Sequence, residues 1–156
     1  MENYLELANI LNSIEIGYNQ NIFMRYFSII FFILTSISQA DISIRQYNSQ
    51  YCYDGDTCYV TFDGKNNKIR LLELDTPEIS KPKCDEELEL GLKARDYINN
   101  LIENASSIEF KTEYKEDYFG RILSYLIIDG EDVSAKLVSN NLGVVYDRNN
   151  KKDWCQ

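Results

Sequence analysis

Two acidic motifs, Asp54-Gly55-Asp56-Thr57 and Asp75-Thr76-Pro77-Glu78, and two arginines, Arg70 and Arg121, are the residues of this chain that could do chemistry together. Asp56 and Asp75 offer hard oxygen donors of the kind that calcium or magnesium takes and zinc disfavours. Arg70 and Arg121 can each grip phosphate oxygens bidentately and neutralise charge that builds in a phosphodiester transition state. Glu78, close in sequence to Asp75, supplies a carboxylate to orient or deprotonate water. A hard cation, two guanidinium clamps and a carboxylate base are the parts a histidine-free phosphodiesterase needs. Each fragment alone has a plainer reading. Asp-Gly is a favoured hairpin turn, aspartate near proline is common at strand ends, and single arginines often just pair with surface carboxylates.

The chain contains no histidine. That removes Ser-His-Asp triads, Cys-His dyads and histidine-based zinc sites, and leaves proton transfer to carboxylate, lysine, tyrosine or cysteine. At 156 residues, 44% hydrophobic and 26% charged, it has the size and composition of one globular domain. The net charge of −9 is the wrong sign for passive attraction to nucleic acid. Local arginines and a bound cation would have to overcome it.

The first forty residues read as processing sequence. Arg25, the apolar run Tyr26 to Leu34 and the small-residue stretch Ser38-Gln39-Ala40 follow the order of a secretory signal peptide over 24–40. From Tyr26 to Ile37 the apolar stretch is about 12 residues, short of the roughly 20 that span a bilayer. Residues 1–23 carry Glu2, Glu6 and Glu15 and no basic residue, so translation is expected to start at Met24. Export and cleavage near Ala40 would leave a domain over 41–156 with a net charge of about −7. Four cysteines remain in it, Cys52, Cys58, Cys84 and Cys155, and in an exported domain they suggest two disulfides. Cys52 and Cys58 flank Asp54-Gly55 and could face each other across a hairpin, which would leave Cys84 to Cys155.

Periodicity supplies the elements. Strands are expected over Ile42 to Tyr53, Thr57 to Phe62 and Lys68 to Leu74, with turns at Asp54-Gly55 and at 63–67. From Glu86 the period changes, and Leu88, Leu92, Arg95, Ile98, Leu101, Ile102 and Ala105 recur as on an amphipathic helix. Strands over Ser107 to Tyr114 and Ile122 to Ile128 follow, then a helix from Val133 to Asn141 with Ala135, Leu137 and Val138 as candidate buried positions. Five strands, with one helix between the third and fourth and a short helix at the C-terminal end, match a mainly β, α+β, five-stranded OB-fold barrel.

The motifs Asp54 to Thr57, Arg70 to Glu78 and Gly120-Arg121 resemble those of the thermonuclease (micrococcal or staphylococcal nuclease) family, over about Ile44 to Tyr146. The resemblance implies an OB-fold nuclease that cleaves DNA and RNA with little sequence preference, leaving 3′-phosphate ends. It implies calcium held by Asp56, Asp75 and the Thr76 carbonyl, Glu78 as general base, and Arg70 and Arg121 on phosphate. A monomer with a DNA or RNA substrate is expected, free of the membrane after signal cleavage. Three departures stand out. Phe119 occupies a position where the family often has tyrosine, Asn141 one where glycine is usual, and the segment up to Gln156 leaves little room for the family's last helix. The competing expectation is a catalytically silent nuclease-like OB module that only binds a partner.

Overall fold

The computed structural model describes residues 41–149 and 151–155, so the expected extension over 1–23 and signal peptide over 24–40 lie outside the described residues. The elements run β1 (Ile42–Ile44), β2 (Thr57–Phe62), β3 (Lys65–Leu71), β4 (Leu74–Asp75), α1 (Asp85–Glu103), β5 (Ile108–Glu116), β6 (Ile122–Ile128), β7 (Glu131–Asp132), α2 (Val133–Ser139) and β8 (Val144–Val145). The main sheet has the order β1-β2-β3-β6-β5, with β7 added to β6, and β4 pairs with β8 separately. It is a mixed, curled half-barrel of the OB type, with α1 between the third and fourth long strands as expected. Among the described residues no helix is long and apolar enough to cross a membrane.

The strand boundaries differ from the sequence pattern where the backbone turns sharply. The expected first strand, Ile42 to Tyr53, stops at Ile44. Asn48 and Ser49 take positive φ there, and Tyr47 and Gln50 exchange backbone hydrogen bonds of 2.8 and 3.1 Å around them. The β2–β3 hairpin turns on Asp63 and Gly64 alone, both at positive φ, which leaves Lys65 to Asn67 inside β3 rather than in a turn. Glu73 at φ 57° breaks the expected third strand into β3 and β4.

Alternation along β6 is regular, with Ile122, Ser124, Leu126 and Ile128 buried, and these meet Val60, Ile69 and Leu71 in the core. The buried stripe of α1 is rotated from the expected one. It consists of Glu87, Gly91, Ala94, Ile98 and Ile102, while Leu88, Leu92 and Arg95 are only partly buried. Small residues at 91 and 94 let the helix come close to the loop that follows β4. A Cβ on Gly91 would lie 2.8 Å from the Pro77 carbonyl oxygen. In α2, Val133, Ser134 and Leu137 are buried and Ala135 is exposed, against expectation. Asn141 follows this helix at φ 57°, and the bonds from Leu142 N to Leu137 O and Asn141 N to Val138 O close a Schellman end. Asparagine tolerates that left-handed position, which accounts for its standing where glycine is usual.

Disulfides join Cys52 to Cys58 and Cys84 to Cys155. The second ties residues 151–155, which form no helix, to the N-cap of α1. Gly55 owes its identity to contact and not to a left-handed turn. A Cβ there would lie 2.7 Å from Thr76 Cγ2 and 2.9 Å from Ala94 Cβ. Gly55→Ala is therefore expected to cost about 1–3 kcal/mol by overpacking, readable as a lowered urea midpoint with unchanged slope.

Candidate active site

Strand register brings the acidic motifs and the arginines to one end of the sheet. Thr57 on β2 faces Arg70 on β3, and β3 runs parallel to β6 with Ile69 opposite Ile122, so Arg121 enters β6 beside them. The Asp56 carboxylate, buried just before β2, accepts from the Thr57 hydroxyl (3.1 Å), the Thr76 N–H (3.2 Å) and the Thr76 hydroxyl (3.0 Å). It also pairs with Arg70 Nη1 at 2.5 Å. Arg70 Nη2 donates to the Leu74 carbonyl at 2.9 Å and stands 3.9 Å from Asp75 Oδ1. Arg121 Nη1 donates to the Thr57 hydroxyl at 3.2 Å. Asp56, Arg70, Asp75, Glu78 and Arg121 all line one open cavity of about 800 Å³. Thr76 is buried behind it, with its side chain turned to Asp56.

Several residues that position these groups are not evident from motif spacing. Asp117 accepts from the backbone N–H groups of Phe119 and Arg121 (2.9 and 3.0 Å) and from Arg121 Nε (2.7 Å). It thereby shapes the turn and aims the guanidinium. Partial burial alone would raise the Asp117 pKa, but these donors outweigh it and hold the carboxyl low. Glu87, buried in the first turn of α1, accepts from the backbone N–H groups of Lys83 (2.6 Å) and Glu78 (3.4 Å) and so fixes the loop carrying Glu78. Asn99, further along α1, accepts from Tyr51 N and Cys52 N and donates to Cys52 O, pinning the segment ahead of Asp54. Lys151 in the disulfide-tied tail lies 3.8 Å from Glu78 Oε1. A buried Glu87 or a helix-borne Asn99 leaves no mark on the sequence beyond a polar residue at a helical spacing, because their partners are backbone groups, which any residue carries.

Carboxylates outnumber cations in this corner. Burial, with the neighbouring Asp56 charge second, pushes the Asp54 carboxyl up to about 7. Burial likewise raises Asp75, aided by Asp56 and opposed by Lys151 and Arg70. Among the described residues no three cysteine, aspartate or glutamate side chains form a finished cation cage. What converges is a pair, Asp56 and Asp75, both within reach of Arg70, with Asp54 donating structure through its bond from Asp56 N. Two hard carboxylates in a half-buried, negatively overloaded wall fit a divalent cation that keeps some of its water. They do not fit a soft or imidazole-seeking metal.

The sequence model described as "Staphylococcal nuclease homologue" matches residues 68–155, more than half of the chain. The chain belongs to the staphylococcal nuclease homologue family. The matched span holds Arg70, Asp75, Thr76, Glu78 and Arg121, and Asp56 joins them by the geometry just described. Among relatives of this family member, Endonuclease YncB of Bacillus subtilis (strain 168) is 34% identical over 103 residues, 63% of this chain and 48% of the relative. SPbeta prophage-derived endonuclease YokF of the same organism is 34% identical over 103 residues, which is 34% of its length. Thermonuclease of Staphylococcus intermedius is 30% identical over 106 residues, 67% of this chain and 62% of the relative. The chain thus spans less than two thirds of each relative's length.

Asp117→Ala removes the acceptor of three N–H groups, one of them charged, and is expected to cost about 1–3 kcal/mol in urea unfolding. Asp117→Asn keeps one acceptor oxygen and should cost measurably less. Equal losses for the two would show that the carboxylate does not organise the turn.

Proposed function

We propose that this chain is an exported, calcium-dependent endonuclease that hydrolyses phosphodiester bonds of DNA, RNA or both. The observation that carries the reading is the convergence of two carboxylates, two arginines and Glu78 on one cavity in a member of a nuclease family. The names of relatives, two endonucleases and a thermonuclease, support it. Calcium is the cation we assign, held by Asp56, Asp75 and the Thr76 carbonyl. Such a cation, when bound, supplies positive charge against the phosphate oxygens.

The protein's own groups have separable tasks. Arg70, locked by Asp56 and the Leu74 carbonyl, and Arg121, locked by Asp117 and Thr57, hold their guanidinium groups ready for a phosphate before it arrives. Preorganisation of this kind avoids reorganisation cost as charge develops. Glu78, partly exposed on its loop, takes the proton of a water whose oxygen bonds to phosphorus as the P–O ester bond to the 5′ oxygen breaks, and that leaving oxygen takes a proton from solvent. The products are a 3′-phosphate and a 5′-hydroxyl. Export, with a signal peptide over 24–40 cleaved near Ala40, agrees with the two disulfides.

The decisive measurement is digestion of DNA and of RNA by the purified protein with calcium and then with chelator. Cleavage that chelator abolishes is expected; no cleavage with calcium on either substrate would refute the catalytic reading. Glu78→Gln should lower the rate by about 10²–10⁴-fold while leaving calcium affinity, read by titration calorimetry, within a few fold. Wild-type turnover in that variant would remove Glu78 from the assigned role.

A further inference from the structure

Alternation along β2 and β3 places a second set of residues on the same face of the sheet as Arg70. Thr57 faces Arg70, and one step further along the pair Tyr59 faces Lys68. Cys58, Val60 and Ile69 point the other way, into the core. Arg45, which continues from β1, donates its backbone N–H to Tyr59 O at 3.0 Å. The result is a row of Arg45, just past β1, Tyr59 on β2 and Lys68 on β3. Two further rings stand over it. The Arg45 guanidinium lies 5.8 Å from the Tyr47 ring and 5.5 Å from Tyr59, and Lys68 Nζ lies 5.6 Å from the Tyr53 ring and 5.5 Å from Tyr59.

Three observations give this row a ligand. Tyr47 and Tyr53 remain 52% and 38% exposed although they sit among cations, so their rings have surface free for stacking. Among the described residues neither Arg45 nor Lys68 forms an ion pair with a carboxylate, in a chain with 25 of them. A second cavity of about 260 Å³, lined by Arg45 and Lys68 with Phe119 and Arg121, adjoins the first and shares Lys68, Phe119 and Arg121 with it. The path from Arg70 and Arg121 to Arg45 is therefore continuous, and Tyr47 stands beside its end, 5.8 Å from the Arg45 guanidinium. Alternating cations and accessible rings along a groove suit an unpaired strand, whose bases can stack while its phosphates meet the cations. A duplex keeps its bases stacked inside and offers the rings nothing.

We propose that this outer face of β1, β2 and β3 binds single-stranded nucleic acid beyond the cleavage point, with Tyr47 and Tyr53 stacking bases and Arg45 and Lys68 holding the flanking phosphates. The proposal rests on the nuclease reading for the orientation of the strand, and deepens it. It also explains how an acidic protein holds a polyanion away from its metal.

The test uses the full chain carrying Glu78→Gln, so that the probe survives, with labelled oligo-dT and oligo-U of about twelve nucleotides, within the range one OB fold covers, and a dinucleotide, followed by fluorescence anisotropy. Tyr47→Ala with Arg45→Ala should weaken binding of the longer strands by roughly 5- to 100-fold and that of the dinucleotide far less. The slope of log affinity against log salt should fall by about 0.7 for the lost arginine. Tyr47→Phe, which retains the ring, should bind like the parent, separating stacking from any loss of fold. Unchanged affinity for the longer strands, an equal loss on the dinucleotide, or tighter binding of a duplex of the same length would overturn the proposal. Length-dependent binding by a chain that digests nothing would sink the catalytic reading and leave this surface standing. Digestion without any length dependence would do the reverse.

Discussion

The carboxylate of Asp56 joins segments that are far apart in the chain. It receives the start of β2 through Thr57, the end of β3 through Arg70 and the stretch after β4 through both donors of Thr76. A buried ion pair is a weak source of net stability, yet removing one partner leaves an uncompensated charge, at a cost of about 3–5 kcal/mol. Asp56 and Arg70 are thus bound to each other's presence. The same pair sets the distance between the two acidic motifs, because Arg70 reaches on to Leu74 O and toward Asp75. Site and scaffold share these side chains, so the corner cannot be assembled unless the strands have met in register.

Around that pair the fold works by close approach. Gly55, Gly91 and Ala94 let the loop before β2, the helix α1 and the Thr76-Pro77-Glu78 stretch nearly touch. Glu87 and Asn99 on the same helix then satisfy backbone N–H groups on either side of the contact. Helix α1 serves less as an apolar cover than as a rail that fixes the loops on both flanks of the cavity. This explains why its buried stripe contains a carboxylate and a glycine, and why larger apolar residues sit to the side.

The charge of the chain finds a local answer. A net charge of −9 describes the whole sequence, but potentials that a ligand meets are set within about a Debye length, roughly 8–10 Å. Within that range of the cavity, Arg70, Arg121, Lys68 and Lys151 are held by strands or by the tail that Cys84–Cys155 secures. Composition averaged over the chain conceals this gathering of cations, which stands among carboxylates that still outnumber it along the cavity wall.

The sequence by itself pointed to an α+β fold of the OB type, the placement of α1, two disulfides with Cys52–Cys58 and Cys84–Cys155 as the favoured pairs, and five side chains that the fold brings to one cavity. These rest on local rules: two- and 3.6-residue periods, even cysteine count, and the oxygen and guanidinium chemistry of closely spaced motifs. Local rules ran β1 on to Tyr53 and turned the face of α1, while the turn read at Asp54-Gly55 stands, with Cys52 paired antiparallel to Cys58 across it. On α1 the close approach of Gly91 to Pro77 outweighed the apolar period, and at β1 the left-handed turn at Asn48 and Ser49 cut the strand short. Only tertiary structure decided that Asp117 aims Arg121, that Glu87 holds the Glu78 loop, and that Arg45, Tyr47, Tyr53 and Lys68 meet on one face. Those residues lie up to tens of positions apart with no motif between them. Their proximity comes from strand register and burial, which depend on the whole chain being folded.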